Sequence, residues 1–249
     1  MPRYFITLAY NGKNYVGWQV QPNGTGVQEV LQGALSTILR DKVEVVGAGR
    51  TDSGVHARKM IAHFDWEEAD FSSDNLLRKL NNFLPKDISI SSIREVRPDA
   101  HARFSAISRT YRYYVTTVKD PFRHEFTYRV RYHLNIQMMN ALCSVIQQYR
   151  DFTSFSKLHT DVKTNNCKIE YAGWERVGEE YVFTIKADRF LRNMVRAIVG
   201  TLLEAGRGRL DERGLRRVIE AKNRSVAGDS VPGNALFLED VSYPDNIWL

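Results

Sequence analysis

A short glycine-rich stretch, "GAGRTDSGVHA" over residues 47–57, combines the residue types best suited to chemistry. It holds one carboxylate, Asp52, with Arg50 two positions before it and His56 after it, and Arg58 directly follows the stretch. Because a nearby arginine lowers the pKa of a carboxylate by about 1 to 3 units, we expect Asp52 to be an anionic nucleophile or base rather than a proton donor. Three glycines and these extra polar groups exceed what a simple turn requires. The stretch therefore predicts a loop that presents one ionised carboxylate to a ligand.

Spacing and context separate this loop from better-known glycine-rich motifs. A P-loop ends in Gly-Lys-Ser/Thr, whereas this stretch ends in Gly-Val-His, and a dinucleotide loop needs glycine at the sixth place, where Asp52 stands. The flanking runs "KVEVVGA" and "KMIAHFDW" predict strands, so no helix N-terminus is available to hold a phosphate. No second carboxylate lies in the motif, which argues against two-carboxylate glycoside hydrolysis and a magnesium site. A structural Asx-turn is the more common role of such an aspartate and stays open here.

A second stretch, "DRFLRNMVRAIVGTLL", predicts a helix over Phe190–Ala205 with arginines recurring at helical spacing, namely Arg189, Arg192 and Arg196. A solvated basic face is the common explanation, and an electropositive wall lining a cleft is the functional one. Arg196 lies within an apolar run, where an arginine usually needs a buried acceptor. Asp52 is a candidate for that acceptor.

The strand "SRTYRYYV" interleaves arginine with tyrosine. Arg109, Tyr111 and Tyr113 fall on one face by strand alternation, and Arg112 and Tyr114 fall on the other. Tyrosines in strands usually pack in the core. On a basic protein they also suit stacking on unpaired bases, which contributes about 1 to 3 kcal/mol per base.

Composition limits the classes of protein that fit. The 249 residues are 43% hydrophobic and 26% charged, enough for one large or two small globular domains, and the net charge of +6 favours a polyanionic partner. The opening run "MPRYFITLAYNG" predicts a strand and a turn, and no apolar run is long enough to span a bilayer, so we expect a cytoplasmic protein without membrane contact. Cys143 and Cys167 lie far apart, so we expect neither a disulfide nor a zinc site. Four histidines lack metal-ligand spacing and are expected to be structural: His56, His63, His101 and His159.

The hydrophobic pattern predicts two halves of similar order. The first half reads βαββαβ, a ferredoxin-like unit, with a capping box at Thr25 and Gln28 opening its first helix and Ser72 or Ser73 capping its second before Pro85. Strands are expected over residues 43–46 and 60–66 on either side of the Asp52 loop, and the second half repeats this alternation. We therefore predict an α+β protein of two ferredoxin-like α/β domains, 1–104 and 105–249, with mostly antiparallel sheets flanking a basic cleft.

Six blocks in one order resemble the TruA-type tRNA pseudouridine synthases along nearly the whole chain. They are "YNGKNYVGWQVQPNGTGVQ", "GAGRTDSGVHA", "LNNFLPKDISI", "HARFSAISRTYRYYV", "DFTSFSK" and "FLRNMVRAIVGTLL". The resemblance implies a pseudouridine synthase fold, a homodimer that needs no cofactor or metal, and isomerisation of uridine at positions 38 to 40 of the tRNA anticodon arm. It also implies that Asp52 is the catalytic aspartate, Tyr111 the tyrosine that stacks on the target base, and Arg196 the arginine paired with the aspartate. The residues expected to bind the tRNA are Tyr111, Arg50, Arg58, His56, Arg189 and Arg192.

The chain departs from the family pattern at a few positions. Ser53 stands where alanine is usual, and "VPGNALFL" replaces the familiar Pro-Ala-x-Gly-Leu near the uracil pocket. The segment before "TGVQ" lacks a usual arginine. Three alternatives stay open: a non-catalytic RNA-binding protein of the same fold, a paralogous synthase acting on other uridines, and a metal-dependent hydrolase.

Overall fold

A computed structural model describes residues 1–67, 71–157 and 164–249 of the chain. The chain forms two compact units, the first made of Met1–Ile107 with Leu238–Leu249 and the second of Ser108–Phe237. The last twelve residues thus lie with the first unit. The domain division between residues 104 and 105 and the basic cleft stay predictions.

The architecture is mixed α+β with a mostly antiparallel sheet, which confirms the predicted fold class. Within the described part of the chain, no helix has the length and apolar character to cross a bilayer. The helices are α1 Val27–Leu39, α2 Ser73–Phe83, α3 Ile136–Ile146, α4 Met194–Gly206 and α5 Glu212–Glu220. The strands are β1 Arg3–Tyr10, β2 Val46–Gly47, β3 His56–Asp65, β4 Ile88–Val96, β5 Ser108–Thr116, β6 Tyr128–Arg129, β7 Ile169–Val177, β8 Glu180–Ala187 and β9 Leu236–Ser242.

The first unit follows the predicted βαββαβ order and is built around β1. This strand pairs antiparallel with β3 and with β4, so that Ile6 lies opposite Ala62 on one side and Ile93 on the other. β2 also pairs with β3, and β9 lies next to β3. Phe5 and Ile6 are both buried, which shows that the two faces of β1 are covered. Because β1 is paired on both sides, the position of Tyr10 at its end is fixed.

The two helices of the first unit begin differently from one another. Helix α2 starts as predicted, because the Ser72 Oγ atom accepts a hydrogen bond from the Asn75 backbone N–H at 3.3 Å. The capping box predicted at Thr25 and Gln28 is wrong, since Gly26 is the N-cap and no side chain caps α1. The Gln28 Nε2 atom instead donates to the Val45 carbonyl at 2.7 Å.

The strand predicted over residues 43–46 is also shorter than expected. The Val45 backbone N–H donates to the Gln32 Oε1 atom at 3.2 Å, and its carbonyl accepts from Gln28. Side chains of α1 therefore occupy the hydrogen-bonding groups that a strand would use, and β2 is confined to Val46–Gly47. Polar side chains on a helix can replace a sheet ladder in this way because a buried backbone group needs only one good partner.

The second unit has an antiparallel β5–β8–β7 sheet. Tyr113 of β5 lies opposite Phe183 of β8, which lies opposite Trp174 of β7. Strand β6 joins this sheet in parallel with the end of β5. Cys143 and Cys167 are free and buried in this unit, and burial raises the pKa of each thiol to about 12.

Helix α4 begins at Met194 rather than at the predicted Phe190. Asn193, with φ of 66°, adopts the left-handed conformation, which interrupts helical geometry before Met194. The Asp188 Oδ1 atom accepts from the Arg189 backbone N–H at 2.7 Å, a local bond that competes with a helix. Arg189 and Arg192 therefore precede the helix and do not share a helical face with Arg196, which corrects the predicted basic stripe.

The histidines described in the first unit are hydrogen-bonded, as expected of structural residues. The buried His63 accepts from the Ala102 backbone N–H at its Nδ1 atom at 3.1 Å, and His101 accepts from two backbone N–H groups. Burial, and then the charge of Arg3, lower the pKa of His63 from 6.5 to about 4. His159 lies outside the described residues.

The pKa of His63 predicts a loss of stability in mild acid. Between its unfolded pKa near 6.5 and its folded pKa near 4, the unfolded chain binds a proton that the folded chain excludes. We expect the free energy of unfolding from urea titrations to fall by about 2 kcal/mol between pH 7 and pH 5 from this group. His63→Asn, which keeps an acceptor for Ala102, should reduce this decrease, whereas His124→Asn at an exposed position should not. An equal decrease in all three proteins would contradict the assignment.

Candidate active site

The Asp52 loop connects two antiparallel strands, as predicted. Val46 of β2 lies opposite His63 of β3, and Gly47 lies opposite Ala62. The Ala48 backbone N–H extends this pairing by donating to the Ile61 carbonyl at 2.7 Å. The loop therefore leaves a rigid ladder at Ala48 and re-enters it at His56, so its two ends are fixed.

Thr51, the residue before Asp52, is held inside the first unit. Its Oγ1 atom forms a buried 2.8 Å hydrogen bond with the hydroxyl of Tyr10, at the end of β1. The Thr51 carbonyl accepts from the Trp18 backbone N–H at 3.2 Å. Gly17, with φ of 107°, brings its backbone so close to this carbonyl that a Cβ atom would overlap it. These contacts set the backbone from which the Asp52 side chain extends.

A tight turn follows directly on Asp52. The Val55 backbone N–H donates to the Asp52 carbonyl at 3.1 Å, and Gly54, with φ of 76°, supplies the left-handed residue that this turn needs. The Tyr15 carbonyl accepts from the Gly54 N–H and from the Ser53 hydroxyl, each at 3.3 Å. The Ser53 hydroxyl is thus directed to the backbone of Tyr15.

The segment after β1, residues 11–15, is itself held by hydrogen bonds to Asp87 and so supports this turn. The Tyr15 hydroxyl donates to the Asp87 Oδ1 atom at 2.7 Å, and the Asn14 Nδ2 atom donates to the Oδ2 atom at 3.1 Å. Burial, and then the bond to Asp87, raise the pKa of Tyr15, so the phenol stays protonated as a donor. Sequence reasoning missed Tyr10, Tyr15 and Asp87 as supporting residues. The sequence feature that could have indicated the two tyrosines is that both belong to the block "YNGKNYVGWQ".

The other predicted residues of this loop differ in exposure. Asp52 is half-buried and Arg50 is exposed, and the Arg50 guanidinium forms no ion pair within residues 1–67, 71–157 and 164–249. Its expected role in holding Asp52 ionised stays a prediction. The Arg58 Nε atom donates to the Glu239 Oε1 atom at 3.1 Å. His56 is only 1% exposed, and its Nδ1 atom accepts from the Gly12 N–H at 2.9 Å, so it fixes the start of the supporting segment.

Tyr111 lies on β5 in the second unit and remains half-buried. The rings of Tyr111 and Phe190 are in T-shaped contact, with centroids 5.1 Å apart and planes at 86°. The Arg109 Nη1 atom donates to the Asp188 carbonyl at 2.8 Å, which fastens the segment that carries Phe190 to β5. Tyr113, predicted on the same face, is fully buried in the core.

Arg196 is half-buried on α4 and is bonded to the backbone of Val231. Its Nε atom donates to the Val231 carbonyl at 2.7 Å, and the Val231 N–H donates to the Arg196 carbonyl at 3.3 Å. The Tyr113 hydroxyl donates to the neighbouring Pro232 carbonyl at 2.9 Å. The structure thus joins Arg196 and Tyr113 at the start of "VPGNALFL". The sequence did not reveal this role of Tyr113, because a tyrosine in a strand usually packs in the core.

The two remaining predicted residues, Arg189 and Arg192, lie in the segment before α4. Arg189 is half-buried, and Arg192 is exposed. The Arg192 carbonyl accepts from the Lys157 N–H at 3.1 Å, which joins the blocks "DFTSFSK" and "FLRNM". Asp52 belongs to the first unit, and Tyr111, Arg196, Arg189 and Arg192 belong to the second.

These features together are typical of an enzyme that acts on a nucleic-acid base. The fold is α+β, a braced loop carries one half-buried carboxylate, and a strand carries arginine and tyrosine next to a basic segment. In the described ranges, no group of three or more metal-binding side chains is found. A single carboxylate of this kind is suited to nucleophilic or base chemistry, and aromatic and basic side chains are suited to a nucleic-acid base.

Comparison with known proteins identifies the family. The sequence profile described as tRNA pseudouridine synthase matches residues 6–105 and 149–244. The chain is 62% identical over 248 residues to the tRNA pseudouridine synthase A of Parabacteroides distasonis, covering 100% of this chain and 98% of that protein. It is 60% identical to that of Bacteroides thetaiotaomicron (100% and 93% covered) and 36% identical to that of Exiguobacterium sibiricum (99% and 98%). The chain belongs to the tRNA pseudouridine synthase family.

The contact between Tyr10 and Thr51 predicts a specific pattern of stability. Tyr10→Phe and Thr51→Val each leave one buried partner without its bond, so each should lower the free energy of unfolding by about 1 to 2 kcal/mol. The double variant removes both polar groups and should lose clearly less than the sum. Urea titrations of the four proteins measure this cycle. Strictly additive losses would mean that the two groups do not interact.

Proposed function

We propose that this protein isomerises uridine to pseudouridine in tRNA, at positions 38 to 40 of the anticodon arm, with Asp52 as the catalytic nucleophile. The observation that carries the proposal is the family match over residues 6–105 and 149–244, which includes the whole loop around Asp52. The half-buried carboxylate on a braced loop supports the same assignment.

The chemistry explains why a single carboxylate is enough. The N1–C1′ glycosidic bond breaks, the uracil turns, and a C5–C1′ bond forms; the C5 proton is lost to solvent and N1 gains one. No electrons are gained or lost overall, so no redox partner is needed. Asp52 can attack C6 of the base, attack C1′ of the ribose, or assist elimination to a glycal, and each path begins from the ionised form.

Two residues of the second unit complete the proposed reaction. Tyr111 stacks on the uracil and assists removal of its C5 proton, with its ring held by the edge contact to Phe190. Arg196 pairs with the Asp52 carboxylate and orients it. The 2.7 Å bond from its Nε atom to Val231 restricts the orientation of the guanidinium plane, which favours a directed pairing over a mobile one.

Substrate binding must compensate for extrusion of the target base. Flipping a nucleotide costs a few kcal/mol, and stacking on Tyr111 returns about 1 to 3 kcal/mol. We assign phosphate contacts to Arg50, Arg189 and Arg192, of which Arg50 and Arg192 are exposed. Arg58 would exchange its contact with Glu239 for a phosphate, and His56 would act by fixing the Gly12 turn.

The oligomeric state and the cellular location of the protein are further parts of the proposal. We propose a homodimer, on the basis of the family resemblance, and a cytoplasmic location, as the sequence predicts.

The proposal predicts loss of tritium from labelled substrate. With a tRNA transcript that carries tritium at C5 of uridine, the protein should release tritium to water. Asp52→Asn should lower this rate at least about a thousandfold, because the nucleophile is lost, while still binding tRNA. The exposed Asp41→Asn is the matched control and should retain full release. Full release by Asp52→Asn would refute the catalytic role, and tRNA binding without release by the unaltered protein would favour a non-catalytic RNA-binding protein.

The positional part of the proposal has its own test. Transcripts in which uridines 38, 39 and 40 are replaced by cytidine should release no tritium, whereas transcripts with cytidine at other loop positions should react normally. Equal release from both sets would indicate a paralogous synthase that acts on other uridines, while leaving the reaction type intact.

A further inference from the structure

The second unit carries a basic depression outside the predicted site residues. It lies where β5 and β6 end and β8 begins, with a volume of about 480 Å³. We call it the basic groove, and its lining residues are Thr117, Arg129, Arg131, Tyr132, His133 and Tyr181. We propose that the basic groove binds the phosphate backbone of the RNA substrate away from the target base, an inference that rests on the proposed function.

The groove is formed by an extended segment that presents two arginines and a histidine outward. Arg129, Arg131 and His133 are exposed, while Val130 between the first two is buried. The Val130 N–H donates to the Thr116 carbonyl at 2.9 Å, and the segment is fastened at its other end by a bond of the same length from the Asn135 N–H to the Gly206 carbonyl, at the end of α4. A segment bound at both ends fixes the backbone positions from which these side chains extend.

The arginines of the groove are distinguished by their lack of carboxylate partners. Within residues 1–67, 71–157 and 164–249, neither Arg129 nor Arg131 forms an ion pair or a side-chain hydrogen bond. The acidic side chains nearby are engaged by other cations. Glu180 accepts two bonds from Arg123 at 2.8 and 2.9 Å, and Glu204 pairs with Arg207 at 2.9 Å. The groove therefore retains uncompensated positive charge, which an anion can neutralise.

The aromatic residues of the groove favour RNA over an acidic peptide. Tyr132 and Tyr181 are half-buried beside the cations, and the Arg207 guanidinium lies 4.3 Å from the centre of the Tyr132 ring. Positive charge that follows a groove with aromatic side chains beside it is typical of surfaces that bind nucleic-acid strands. Tyr111 and Thr116 are five residues apart along β5, about 16 Å in an extended strand. The groove is therefore several nucleotides away from a base stacked on Tyr111.

The test is the salt dependence of tRNA binding. Arg129→Ala/Arg131→Ala removes two phosphate contacts, so a plot of log affinity against log salt concentration should lose about 1.4 to 1.8 units of slope, with affinity at least about tenfold lower at 0.1 M salt. Arg129→Lys/Arg131→Lys should keep most of the slope. The matched control is Arg213→Ala/Arg217→Ala, which removes the same charge from exposed positions on α5. Urea titration of each variant checks that it is folded.

The outcomes separate this inference from the proposed function. If the unaltered protein neither binds tRNA nor releases tritium, the proposed function fails. If it does both and Arg129→Ala/Arg131→Ala keeps the original slope, or loses no more than the control, the groove does not bind RNA. A variant that changes the sedimentation coefficient without changing the slope would identify the groove as a contact between protein copies and would also overturn the inference.

Discussion

The buried hydrogen bond between Tyr10 and Thr51 joins the end of the central strand of the first unit to the residue before Asp52. A buried polar group that loses its partner costs about 1 to 3 kcal/mol, so conformations of the loop that break this bond are disfavoured. Trp18 and Tyr15 add backbone contacts on either side of Asp52. The backbone from which the carboxylate extends is therefore held on both sides of Asp52. Because of this, substitutions at Asp52 itself can change its chemistry without removing the loop that presents it.

The second unit uses the same principle on a different segment. Arg196 and Tyr113 bind the carbonyl groups of Val231 and Pro232, the first two residues of "VPGNALFL". Every residue type offers a backbone carbonyl, so these contacts do not depend on the side chains of that segment. Changes of side chain in this segment are thus compatible with an unchanged attachment to α4 and β5. The bond to Val231 also explains why Arg196 is tolerated in an otherwise apolar helix, because its Nε atom has a backbone acceptor.

Periodic elements could be predicted from the sequence, and irregular ones could not. Helix α2 and strand β1 carry clear signals, a serine cap with apolar residues at helical spacing and an alternating strand, and both were found as expected. The start of α4 was missed, because a left-handed Asn193 and the bond to Asp188 overrode a continuous apolar pattern. The shortened β2 depends on two glutamines reaching from α1. The contacts of these two glutamines join residues 17 and 13 positions apart, which local patterns do not encode.

The distribution of charge around the candidate site could not be predicted from the sequence either. A net charge of +6 and a count of arginines do not say which cations face a partner. Arg3 is engaged by Asp65, and Arg58 by Glu239, whereas Arg129 and Arg131 have no carboxylate partner in the described ranges. An arginine already paired with a carboxylate must give up that pair to bind a phosphate, so its net contribution to RNA affinity is reduced by the free energy of the pair, about 0 to 1 kcal/mol at an exposed position. The placement of the carboxylates, which only the folded chain reveals, therefore distinguishes the arginines that bind a phosphate without giving up an ion pair.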